Sequence, residues 1–143
     1  MAVPTKQDQF LFDTTIWIEL SRRVAREELK RRAKELIAER AAATNEVVRL
    51  ELLVGSRNKA EFRTNSTQLG SLVQFAIEES TWSHANNLGF ELRRKGFTPS
   101  VPDLLIAASA MEQRATLVHA DSDFDQIAAL TDLRVESYAK SAS

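Results

Sequence analysis

FLFDTTIWIEL, residues 10–20, joins a short apolar run to an acid, two hydroxyls and a second apolar stretch. Phe10 to Phe12 are apolar without alternation, which reads as a strand buried on both faces, as in a parallel sheet. The run stops at Asp13, and TTIWIEL begins a short helix with Thr14 or Thr15 as its cap. In open parallel sheets the ligand site lies just beyond the carboxyl ends of the strands, and Asp13 stands at such an end. Trp17 and Ile18, on the helix that follows, read as core.

The same alternation continues downstream. A charged helix is expected over 24–40, with Val24, Leu29, Leu36 and Ile37 as its apolar stripe, followed by a brief strand at 41–43. Thr44 or Asn45 should cap a helix over about 46–56 that ends near Gly55, and residues 59–78 read as helical with an interruption at Gly70. A helix over 81–95 stops at Gly96, after a basic triplet, Arg93 to Lys95, that suits a helix C-terminus. Pro102 at a first helical position opens a segment through Arg114, and strands at 116–119 and 133–137 flank a helix at 123–130. Strands separated by helices predict a three-layer α/β/α fold with a mostly parallel central sheet of four to five strands. One domain over residues 1–143 is expected, with loose ends at 1–8 and 139–143.

The bulk numbers narrow the function classes. Apolar residues are 43% and charged residues 27%, which argues against disorder. Cysteine is absent, so thiolate zinc sites, thiol nucleophiles and disulfide frameworks are excluded. No apolar run approaches the ~20 residues of a membrane span, and MAVPTKQDQF lacks the apolar region of a signal peptide, so a cytoplasmic location is expected. Nineteen Lys and Arg against twenty Asp and Glu leave a formal net charge of -1, so any attraction for a polyanion must be local. The basic residues do cluster, over 22–34, at Arg57, Lys59 and Arg63, and over 93–95. The first cluster reads as a solvated helix face, since Glu27, Glu28 and Glu35 interleave with it.

Four acids adjoin the apolar runs: Asp13, Glu51 in LELLVG, Asp103 in VPDLLIAA and Asp121 in LVHADSDF. Singly, Asp13 reads as a helix cap, Asp103 as a first-turn residue favoured by the helix dipole, and Asp121 as a turn former. Capping leaves Glu51 unexplained. It falls inside a helix, with Val47, Val48, Val54 and Gly55 as its neighbours one turn away and no charge partner among them. Carboxylates beside core segments shift their pKa, find cations or bind a metal. A shared hard cation, Mg²⁺ or Mn²⁺, is the most economical single explanation, because such ions take oxygen ligands and polarise phosphodiesters. Phosphodiester hydrolysis is the expected chemistry, with Asp13, Glu51, Asp103 and Asp121 as catalytic and metal-ligating residues. A haloacid-dehalogenase-like phosphatase would need a second Asp two positions after the first, where Thr15 stands.

These strings together resemble a PIN-domain ribonuclease, and more narrowly a VapC-type toxin of bacterial toxin–antitoxin pairs. FLFDTTIWIEL resembles the family's opening strand with its first acid and following hydroxyl, here Thr14. NEVVRLELLVGSRN resembles the helix carrying the second acid, and the block from Leu88 to Ala128 the region of the third and fourth. The likeness implies a metal-dependent endoribonuclease that inhibits translation, an RNA substrate of the tRNA or rRNA class, a homodimer, and a cognate antitoxin blocking the groove. A degenerate PIN-like module that only binds a partner is the alternative. Many members carry Thr where His119 stands. Thr14 is expected to hold a water or phosphate, Asp123 to serve as an alternate ligand, and His119 to donate to a carboxylate or to substrate. Arg57, Lys59 and Arg63 are expected to touch RNA phosphate. Trp82 and His84 suggest a helix packing surface at a dimer interface.

Overall fold

The computed structural model describes residues 8–140. In chain order the elements are β1 (Phe10–Phe12), α1 (Thr14–Ser21), α2 (Glu27–Ala38), β2 (Ala42–Asn45), α3 (Glu46–Val54), α4 (Lys59–Gly70), β3 (Val73–Phe75), α5 (Glu79–Arg94), α6 (Val101–Glu112), β4 (Thr116–His119), α7 (Ser122–Leu130) and β5 (Arg134–Ser137). The strands form one five-stranded sheet in the order β3-β2-β1-β4-β5, and every neighbouring pair is parallel. The sheet is flanked by helices, as the continuous apolar character of FLF and the buried residues of TLVH require. Among the described residues no helix is long and apolar enough to cross a membrane. The expected loose ends at 1–8 and 139–143 fall mostly outside the described residues.

β1 lies at the centre, paired with β2 on one side and β4 on the other. Phe12 sits opposite Val118, and the Asp13 N–H donates to the Val118 carbonyl at 2.9 Å, so the chain leaves β1 and β4 at the same level. Leu11, Phe12, Ile16, Leu117 and Val118 are buried there with Ile106 and Phe124. Helix α6 is buried over Leu105–Ala110, and its three alanines let the backbone lie close to its neighbours. A helix with so little polar surface belongs to the interior.

Three helices end by the same device. Gly96 has φ +91°, and the Phe97 N–H reaches back to the Leu92 carbonyl at 3.0 Å, closing α5 in the left-handed turn that glycine accepts without strain. Arg40 (φ 57°) and Arg114 (φ 54°) do the same after α2 and α6. There Ala41 N–H reaches Leu36 O and Ala115 N–H reaches Ala110 O, each at 2.9 Å. Each arginine stop costs roughly 1 kcal/mol relative to glycine and turns the chain directly toward a strand.

Several expectations are corrected. Asp13, not Thr14 or Thr15, caps α1. Helix α2 begins at Glu27, so Val24 is no part of its stripe and stands 88% exposed; Leu29, Ala33 and Leu36 face the core instead. Pro102 is the second residue of α6, capped by Ser100. Residues 59–78 are not one helix, since α4 ends at Gly70 and β3 follows. Trp17 is core as expected, whereas Ile18 is 46% exposed. The basic run after α1 is only partly a solvated face, because Arg26 and Arg32 reach the C-terminal strand.

Candidate active site

The starts of α1, α6 and α7 supply three of the four expected acids. Asp13 caps α1: its Oδ2 accepts from the Thr15 N–H at 3.1 Å and from the Thr15 hydroxyl at 2.6 Å. Asp121 caps α7, its Oδ1 accepting from the Asp123 N–H at 2.9 Å. Asp103 is the third residue of α6, with its N–H donated to the Ser100 Oγ at 3.3 Å. Helix starts thus account for each of these acids locally, Asp13 and Asp121 as caps and Asp103 as a first-turn anion favoured by the free N–H groups. This does not account for their convergence. Asp103, Asp121 and Asp123 each bring a carboxylate oxygen within 4.8 Å of the others. The charges of Asp13, Asp121 and Glu51 all act on Asp103.

Glu51 arrives by another route. It is exposed on α3 rather than set in an apolar face, which corrects the basis on which it was singled out. Its Oε1 accepts from the Thr14 hydroxyl at 2.8 Å, so the start of α1 holds it. Thr14 and Thr15 therefore divide the work: one secures Glu51, the other Asp13. The Thr15 Oγ also accepts from the Ala120 N–H at 3.0 Å, tying the β1–α1 turn to the β4–α7 loop. Thr15 was missed as a site residue, although a hydroxyl two positions after a capping Asp is a recognisable local signal.

The electrostatics are those of crowded anions. Asp103 is pushed up to about 6, first by loss of solvent and then by Asp13, Asp121 and Glu51, against the opposing Ser100 hydroxyl. Asp13, 3% exposed, is also raised, by burial more than by Glu51, although its bonds to Thr15 and Thr14 favour the charged form. Among the described residues no lysine or arginine forms an ion pair with Asp13, Glu51, Asp103, Asp121 or Asp123. A set of oxygen donors with no internal counter-ion suits a hard divalent cation.

His119 faces inward. It is fully buried against Phe124, with ring centroids 5.3 Å apart, and burial lowers its pKa against the raising influence of Asp125 and Asp121. A groove of about 640 Å³ adjoins Glu51 and is lined by Thr14, Trp17, Ile18, Leu52 and Gln68 among others. Arg57 lies on it, 3.1 Å from Glu61. Lys59 opens α4, and Arg63 is exposed one turn further along beside Thr67. Trp82 is half exposed on α5, and His84 is half-buried.

The chain is similar to known proteins in sequence and in fold. The family model described as PIN domain matches residues 10–130. Ribonuclease VapC51 of Mycobacterium tuberculosis is 36% identical over 128 residues, covering 86% of this chain and 88% of that protein. Ribonuclease VapC11 of the same species is 33% identical over 135 residues, covering 90% and 98%. In fold, the chain is similar to a crystal structure of VapBC2 from Rickettsia felis bound to a DNA fragment from their promoter, with TM-score 0.75, 22% identity and coverage of 90% and 98%. An all-parallel sheet with acids at its carboxyl rim, a family match over most of the chain, and relatives above 30% identity along nearly their full length have one meaning: the chain belongs to the PIN domain family, on its VapC branch.

Proposed function

We propose that this chain is a metal-dependent endoribonuclease acting in the cytoplasm as the toxin of a toxin–antitoxin pair. The observation that carries the reading is the convergence of Asp13, Asp103 and Asp121 from three helix starts, with Glu51 held beside them and, among the described residues, no lysine or arginine paired with them. Curated relatives named as ribonucleases support it. Asp103, Asp121 and Asp123 would hold Mg²⁺ or Mn²⁺, with Asp13 and Glu51 completing the anionic wall. When bound, such a cation supplies Lewis-acid polarisation of a phosphodiester and lowers the pKa of water.

The chain's own residues do the rest. Thr15 fixes Asp13 through Oδ2, with its N–H and its hydroxyl. Thr14 engages Oε1 of Glu51 and leaves Oε2 to orient, or take a proton from, an attacking water. No protein nucleophile is needed. Arg57, Lys59 and Arg63 would contact phosphates of an RNA laid along the groove, of the tRNA or rRNA class. The same groove would receive the cognate antitoxin, and Trp82 and Phe90, both exposed on α5, would lie in a homodimer interface. A binding module that has lost catalysis is not favoured, because the acid set is complete.

The test is cleavage of a panel of end-labelled structured RNAs with Mn²⁺ or Mg²⁺, with and without chelator. Site-specific cuts that stop on chelation and vanish in Asp103→Asn and Glu51→Gln are expected. Undiminished cutting by both variants would remove the basis of the proposal.

A further inference from the structure

We propose that His119, Asp125 and Ser137 are positioning residues: a polar chain running from the end of β5 through α7 to the backbone of Asp121, which sets where that carboxylate stands. The proposal rests on the reading of Asp121 as a cation ligand.

His119 ends β4 and is fully buried. Its Nδ1 accepts from the Asp121 N–H at 3.1 Å, so Nδ1 carries no proton and the neutral ring is protonated on Nε2. Nε2 lies 3.2 Å from Asp125 Oδ1, at an angle too oblique for a full hydrogen bond, so that contact is an electrostatic restraint. The other oxygen of Asp125 accepts from the Ser137 hydroxyl at 2.9 Å, and Ser137 Oγ in turn accepts from the Ala139 N–H at 3.2 Å. The Tyr138 N–H closes the circuit on the His119 carbonyl at 2.7 Å. Backbone and ring of His119 are therefore both anchored to the last strand.

The consequence falls on Asp121. Its backbone N–H points inward to imidazole while its carboxylate caps α7 on the side of Asp103 and Asp123. Without an acceptor the inward N–H would be stranded, and the loop would turn to satisfy it, carrying the carboxylate away from its neighbours. Residues that orient ligands from behind typically change metal affinity by about 10–100-fold when removed. Asp125 and Ser137 were not singled out from the sequence, because a third Asp in DSDFD reads as a solvated first-turn acid.

The experiment is isothermal titration of Mn²⁺ alone into metal-free wild type, His119→Leu, His119→Asn, Asp125→Ala and Asp103→Asn, alongside imidazole ¹⁵N spectra and thermal melts. His119→Leu should melt near wild type yet bind Mn²⁺ roughly 10–100-fold more weakly. His119→Asn, whose amide oxygen falls near the Nδ1 position, should recover most of the loss. The ¹⁵N spectra should show the Nε2-protonated tautomer in wild type, because Nδ1 accepts from the Asp121 N–H, and Asp125→Ala should bind Mn²⁺ more weakly than wild type. Wild-type affinity in His119→Leu, with affinity lost in Asp103→Asn, overturns the positioning role and leaves the cation site standing. Wild-type affinity in Asp103→Asn brings down both. Should His119→Leu not fold, Asp125→Ala decides: unchanged Mn²⁺ affinity overturns the proposal.

Discussion

Two clusters of charge sit on this molecule and are built on opposite principles. In the clamp between α2 and β5, every charge is answered. Arg32 contacts Glu136 at 3.0 Å and Glu35 at 3.5 Å and lies 5.1 Å over the Phe10 ring. Arg26 pairs with Glu28 at 3.1 Å, binds the Tyr138 carbonyl and covers the Tyr138 ring. The Tyr138 hydroxyl donates to Glu136 and is pushed up to about 12, by burial first and by that hydrogen bond second. At the rim beyond β1 and β4, Asp13, Asp103, Asp121 and Asp123 gather with Glu51, and among the described residues no lysine or arginine pairs with them. A cluster whose charge closes on itself holds the fold together, and one left open is where something from outside is to be bound.

The sharpest way to break that contrast is at the chemistry. Asp103→Asn should lower RNA cleavage by roughly two orders of magnitude or more with the fold intact, whereas Glu136→Gln should leave cleavage within about twofold. Single-turnover assays of the two variants side by side decide it, and equal losses would erase the distinction. Cation addition comes next. Mn²⁺ at about 100 times its Kd should stabilise the wild type by about 2.7 kcal/mol and Glu136→Gln by the same amount, while Asp103→Asn gains far less. Melting curves with and without chelator read this directly.

The clamp should answer to a different measurement. Arg32→Met should cost about 1 kcal/mol in urea unfolding, since it leaves Glu136 with the Tyr138 hydroxyl but no cation, and should not alter Mn²⁺ affinity. The smallest effect is in pH. Asp103 rises in the folded chain from an ordinary 3.8 to about 6, so the folded state binds that proton more tightly. Stability of the metal-free protein on this account increases as pH falls from about 6 to 4, by about 1 kcal/mol once solvent screening of a partly buried carboxylate is allowed for. His119 works the other way: its lowered pKa means that stability is lost as pH falls below 6.5. Asp13, raised as well, works with Asp103, so on acidification over this window the wild type should gain more stability, or lose less, than Asp103→Asn. Parallel profiles in urea titrations would refute the assignment of charge crowding to Asp103.

The elements easiest to read from sequence are those that make the site. FLF and LVH are apolar runs ending at acids, and α6 is a long apolar stretch opened by Ser100 and Pro102, so burial and capping point the same way. β3 was unreadable because it has only three residues, with Gln74 exposed between Val73 and Phe75, and is held by pairing with β2 rather than by its own pattern. Glu51 was chosen for a reason the fold does not bear out: it is exposed, and its tie to Thr14 spans 37 positions that no local pattern encodes. The roles of Thr15, Asp125 and Ser137 depend on atoms brought together across strands. Hydroxyls and a third acid in a turn give no sign of that when read along the chain.

The strand order has a bearing on synthesis. β1 is made before every other described element, yet its neighbour β4 follows after more than a hundred residues, and the two must pair before Asp13 meets Asp121. A nascent polypeptide that has not yet reached β4 lacks Asp121, Asp123 and the strand that aligns them with Asp13. The acidic site is thus not assembled on a growing chain until β4 and α7 have emerged.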